Sequence, residues 1–149
     1  MVFVVPHGSD VLVRPVLENL MNGPFLLIGQ REPLGVGQAL SLCQTVVKTP
    51  RVIVMEAGEI ALADGAMHSC MTFAKQSPDT QLIVPILMTE EGETGCGTFF
   101  FKSAALFRGL SSAGAAPLRG GLMPLIPQLD KTFGNVVTLR IKKTHLYPG

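Results

Sequence analysis

Charge is scarce in this sequence. Charged residues make up 15% of its 149 residues, against about 25% in an ordinary soluble domain. The two signs nearly cancel, leaving +1. That rules out the broad basic field of a dedicated nucleic-acid binder and leaves only a local patch open. The densest basic stretch, Arg140-Ile141-Lys142-Lys143, is short. Cysteine is sparse too. Cys43, Cys70 and Cys96 form no CxxC pair and are odd in number. This excludes a disulfide scaffold and a structural zinc site, and reduced thiols in the cytoplasm are expected. Met1-Val2-Phe3-Val4-Val5-Pro6 has no basic start and breaks at once, so no signal peptide is expected. No apolar run approaches the roughly 18 residues that span a bilayer. The longest, Leu82 to Met88, has the length of a buried strand.

What the chain does have is apolar mass: 47% of its residues, with mean hydropathy +0.39. Its length suits one domain, which can bury a core without disulfides or metals. Such oiliness points to a sheet covered on both faces. It also points to surface buried in an oligomer, so a homodimer is expected.

Strand and helix patterns alternate along the chain. Val2–Val5, Phe25–Gly29, Val52–Met55 and Leu82–Leu87 read as strands. Between them, Ser9–Met21, Gly35–Lys48 and Ile60–Gln76 carry apolar residues at helical spacing. Pro15 suits a first turn, which sets the first helix to begin near Arg14. The third helix turns Leu62, Met67, Cys70, Met71 and Phe73 inward. Phe99–Leu110 reads as a fourth helix, Ser111–Gly121 as a loop, and Pro124 and Pro127 bracket irregular structure. Val136–Lys142 alternates cleanly and suits an edge strand with one wet face. The expected fold is a single three-layer, Rossmann-like α/β domain, with a mostly parallel sheet and a C-terminal edge strand.

In open parallel sheets, ligands bind beyond the carboxyl ends of the strands. Four loops fall there: His7-Gly8-Ser9-Asp10, Gly29-Gln30-Arg31-Glu32, Glu56-Ala57-Gly58-Glu59, and the segment from Thr89 to Gly97. Seven of the eleven acids lie in them. Clustered carboxylates repel unless a cation offsets them, and hard divalent ions use such oxygen sets. Asp10, Glu56, Glu59 and Glu90 are therefore candidate magnesium ligands. The plain alternative is that loops are polar because they are wet.

The order of elements over about the first 90 residues resembles a degenerate TOPRIM domain. The strand–loop–acid segments that carry the likeness are Val4-Val5-Pro6-His7-Gly8-Ser9-Asp10 and Val52-Ile53-Val54-Met55-Glu56-Ala57-Gly58-Glu59. Pro6 or His7 stands where that family has a glutamate, and Glu56-Ala57-Gly58 replaces its D-x-D. The resemblance implies magnesium-dependent phosphate chemistry on nucleic acid or nucleotides.

Two other features bear on function. Gly95-Cys96-Gly97 places a thiol between glycines, where an exposed Cys96 served by His7 would make a nucleophile for small-molecule chemistry. His7, Asp10 and Cys96 are thus candidate ligand-binding residues. Gly35-Val36-Gly37 is followed by Leu40, so no full G-x-G-x-x-G is present. With no intact catalytic motif, the leading expectation is a non-enzymatic domain that binds a ligand or protein partner, with Phe99–Phe101 as an interface patch. The magnesium–phosphate and cysteine readings stand as alternatives.

Overall fold

The computed structural model describes residues 1–32, 34–57, 64–112 and 121–142. The first strand, β1 (Val2–Pro6), leads to helix α1 (Asp10–Leu20) and to β2 (Leu26–Gln30). The two strands pair in parallel, Val2 opposite Leu26 and Pro6 opposite Gln30. Helix α1 starts at Asp10, so Pro15 lies inside it rather than in its first turn. Pro15 removes one helical hydrogen bond, at a turn whose side chains face outward (Val11 is 73% exposed).

Helix α2 (Val36–Ser41) is shorter than its apolar stripe suggests. After Ser41 the chain tightens into i→i−3 bonds, Cys43 N–H to Leu40 O and Val46 N–H to Cys43 O. The β-branched run Thr45-Val46-Val47 disfavours continuing the helix there. Strand β3 (Arg51–Met55) and helix α3 (Asp64–Gln76) follow. Ala66, Cys70 and Ala74 face the core at i, i+4 spacing, whereas Met71 points outward and is 42% exposed.

Strand β4 (Leu82–Thr89) turns into a hairpin with β5 (Gly92–Gly95), and β6 (Thr98–Lys102) returns between β3 and β4. Strand β6 is antiparallel to both. The expected helix over Phe99–Leu110 is therefore a strand followed by a shorter helix, α4 (Ser103–Ser112). The sheet is mixed rather than mostly parallel, because β6 enters it backwards. A 3-10 turn (Met123–Leu125) and helix α5 (Ile126–Phe133) lead to β7 (Val136–Lys142), parallel to β4 at the edge as expected. Pro85 is tolerated inside β4 because it sits at a changeover. The neighbour on that side is β6 up to Ile83 and β5 from Ile86, so no ladder bond is lost.

The five-stranded sheet is covered on both faces. Val54, Leu82, Val84, Phe99 and Phe101 pack on one side against Leu106 and Leu110 of α4 and against Leu122, Leu125 and Leu129. Ile83, Leu87, Phe100 and Ile141 pack on the other against Ala66, Cys70 and Ala74 of α3. This is the expected three-layer architecture. All three rings of Phe99–Phe101 are buried in it, each contributing about 1.5–3 kcal/mol. They are core, not an interface patch.

Candidate functional site

Glu56 is the first residue past the carboxyl end of β3. Its N–H donates to Gly97 O at 2.8 Å, which extends the β3–β6 ladder by one step. The side chain turns toward the segment ahead of the 3-10 turn, where Leu122 N–H donates to Glu56 Oε1 at 2.6 Å. Gly121 lets that backbone approach. It has φ +87°, and a Cβ there would lie 3.0 Å from both carboxylate oxygens. Three segments, distant in sequence, thus meet at Glu56, Gly97 at its backbone N–H and Gly121-Leu122 at its half-buried carboxylate. Leu122 also opens the 3-10 turn and α5, whose unpaired N–H groups favour a negative charge. Among the described residues, Glu56 Oε2 has no hydrogen-bond partner.

A second polar node lies at the end of β2. Gln30 Nε2 donates to Gly35 O at 3.2 Å and contacts Gln38 Oε1. Gly35 has φ +100° and Gly37 is buried, so the backbone entering α2 closes tightly on this side chain. His7 N–H donates to Gln30 O at 2.9 Å. The His7 imidazole is exposed and lies beside Gly29.

Among the described residues, none of the other candidates shares a hydrogen bond or ion pair with Glu56. Asp10 is exposed in the first turn of α1. The two segments that carry the TOPRIM likeness end on different sheets, His7 on β1 and Glu56 on β3. Glu90 is exposed at the tip of the β4–β5 hairpin. Strands β3 and β4 run the same way, each being antiparallel to β6. The paired registers put Glu90 about 13 Å beyond the level of Glu56 along the strands, too far to share one cation. Glu59 lies outside the described residues. Among those described, no three His, Cys, Asp or Glu side chains come together as a metal set. Of the four acids expected to hold magnesium, the described residues thus separate Glu90 from Glu56.

Cys96 is not an exposed nucleophile. It is 1% exposed, between β5 and β6, and its Sγ donates to Pro85 O at 3.5 Å. Cys70 packs in the same cluster. Burial pushes the Cys70 thiol up to about 11, with Cys96 beside it adding to the rise. His7 belongs to the other sheet and gives Cys96 no base. The residues missed in the sequence are Gln30, Gly121 and Leu122. Gln30 was visible as the polar end of an apolar run. The Leu122 amide carries no side-chain signature.

No protein-family model matches this chain, and no curated protein does. Solved structures do. The inositol-1-phosphate CTP transferase from T. maritima superposes with TM-score 0.78 at 12% identity, covering 95% of this chain and 66% of its own. The 4-diphosphocytidyl-2C-methyl-D-erythritol synthase from Anaerococcus prevotii superposes with TM-score 0.74 at 6% identity, covering 99% and 71%. A candidate glucose-1-phosphate thymidylyltransferase from Bacillus anthracis, in complex with a sucrose, gives 0.71 at 14% identity, covering 94% and 67%. At such identities the likeness establishes the fold. This chain spans only 66–71% of those three chains. The expectation of a non-enzymatic interaction domain is corrected by these neighbours, whose names are those of nucleotide-transferring enzymes. Among the described residues, no helix is long and apolar enough to cross a membrane.

Proposed function

We propose that this domain binds a nucleoside triphosphate with a divalent cation, magnesium by its chemistry, and takes part in nucleotidyl transfer to a phosphate-bearing acceptor. The observation that carries the reading is Glu56, a carboxylate held at the carboxyl end of β3 by the Leu122 amide. Nucleotidyltransferase neighbours share the fold around it over 94–99% of this chain. Magnesium is held by one or two carboxylates and completes its shell with substrate phosphates and water. Glu56 suits that role, with one oxygen fixed and Oε2 left for a cation. The cation would neutralise charge on the triphosphate, while Gln30 and the Gly35–Gly37 backbone offer neutral polar groups to the rest of the nucleotide.

A thermal-shift series with CTP, UTP, dTTP, GTP and ATP, each with magnesium, tests this. At saturation near one hundred times Kd, one nucleotide stabilises the wild type by about 2.7 kcal/mol, roughly 5–10 °C in a domain of this size. Glu56→Gln loses most of that shift and keeps its ligand-free Tm to within a few degrees. The reading is overturned if none of the five moves the wild-type transition, or if Glu56→Gln responds as the wild type does.

A further inference from the structure

The sequence holds three asparagines, Asn19, Asn22 and Asn135, and only Asn22 is followed by glycine. Asn22-Gly23 makes the bend between α1 and β2, and both residues are exposed. Among the described residues, neither the Asn22 side chain nor the Gly23 N–H has a hydrogen-bond partner. A Cβ added to Gly23 would meet nothing within 4 Å. The Gly23 nitrogen is thus unbonded, carries no side chain beside it, and can turn toward the amide of the residue before it.

The other two asparagines are held. Asn19 lies in the last turn of α1, where helical geometry fixes the amide that follows it. Asn135 O accepts the Gln81 N–H at 3.0 Å, and the β-branched Val136 follows it at the start of β7.

We propose that Asn22 is a modification site, at which the side-chain amide is lost by spontaneous deamidation. The Gly23 nitrogen, once deprotonated, attacks Asn22 Cγ. The N–Cγ bond forms, the Cγ–Nδ2 bond breaks, and ammonia leaves with the proton that Gly23 gave up. Water then opens the cyclic imide at either carbonyl. One opening gives aspartate. The other gives isoaspartate, whose main chain runs through the former side-chain carbon.

The product places a negative charge just beyond the C-terminal end of α1, the negative pole of the helix. The last turn of α1 has no basic residue to offset it, and Glu18 is already there. Isoaspartate also lengthens the connection ahead of Phe25, whose ring meets Phe3 edge-on at 6.0 Å, and of Leu26, which lies opposite Val2. Both changes weaken the β1–α1–β2 unit and leave the five-stranded sheet untouched.

The test ages the purified 149-residue chain in mildly alkaline buffer at physiological temperature and maps its peptides by mass and chromatography. Asn22 exchanges its amide for a hydroxyl at least about tenfold faster than Asn19 or Asn135, which react only when the fold opens. Gly23→Ala adds a methyl for which the folded chain has room. That methyl crowds the attacking nitrogen and slows the reaction by about tenfold. Asn22→Asp, which installs the charge alone, speeds amide exchange in α1 by about two- to fivefold and leaves β4 unchanged. The proposal is overturned if Asn22 keeps its amide as long as the other two asparagines do, or if Gly23→Ala reacts at the wild-type rate. It is also overturned if Asn22→Asp leaves exchange in α1 as it was.

Discussion

At the scale of single residues, Gly121 decides whether Glu56 can sit where it does. Its φ of +87° disfavours any side chain, and a Cβ would press on both carboxylate oxygens at 3.0 Å. Gly121→Ala combines two costs, backbone strain and displacement of Glu56, together about 1–3 kcal/mol. A double-mutant cycle separates them. In a Glu56→Ala background the clash is gone and only the strain remains, so the same substitution costs at least about 1 kcal/mol less. Urea denaturation of the four proteins measures it. Equal costs in both backgrounds would mean that the glycine serves the backbone turn alone. Nucleotide-dependent stabilisation, if present in the wild type, falls in Gly121→Ala alongside Glu56→Gln, because the carboxylate loses its fixed direction.

At the scale of elements, α4 and α5 meet at a glycine. Gly109 is buried in α4, and a Cβ built on it would lie 2.1 Å from Leu129 Cδ2, inside the core face under the sheet. Helix propensity alone favours Gly109→Ala by about 1 kcal/mol. Overpacking a filled core costs about 1–3 kcal/mol. Leu129 is 2% exposed and must leave its present rotamer to admit the methyl, so the packing cost wins. The substitution lowers the urea midpoint, and Leu129→Val beside it restores part of the loss. A midpoint at or above wild type would show that the two helices separate more easily than their contact suggests. The same region shows what the sequence could and could not disclose. β1, β2, β3, β4 and β7 were legible because short apolar runs, most of them rich in β-branched residues and flanked by proline, glycine or asparagine, leave little else to choose. Strand β6 was not. Phe99–Phe101 runs straight into the helical spacing of Ala105, Leu106, Gly109 and Leu110, and three consecutive aromatics carry no period of their own. Misreading them turned a mixed sheet into a parallel one and a core into an interface. Glu56 was legible from the position of β3 alone. Its partner was not, because a backbone amide 66 residues away leaves no mark in sequence.

At the scale of the whole molecule, burial is lopsided. Of the twenty buried hydrophobic residues described, only Cys43 and Val54 come from the first 57 positions. Of the thirteen large hydrophobics that stay exposed, eleven do, and four of them lie along α1: Val11, Leu12, Val16 and Leu20. Local stability follows buried apolar contact, and regions poor in it open before the rest. The β1–α1–β2 unit is therefore expected to unfold as a separate, weaker block. The five-stranded sheet, sealed by α3 on one side and by α4 and α5 on the other, holds to the global limit. Native-state hydrogen exchange under mild denaturant distinguishes the two regimes. Amides of α1, β1 and β2 exchange through a lower-energy opening whose denaturant dependence is smaller than that of global unfolding, while those of β4, β6 and β7 exchange only on global unfolding. A single isotherm shared by both groups would show that the first 30 residues are tied to the sheet as firmly as the rest, despite their exposed apolar surface. Two regimes would mean that the node at Gln30 is built on the softer block and Glu56 on the rigid one. A ligand spanning both would then have to hold them together, and its binding should raise protection in β1 and β2 more than in β4.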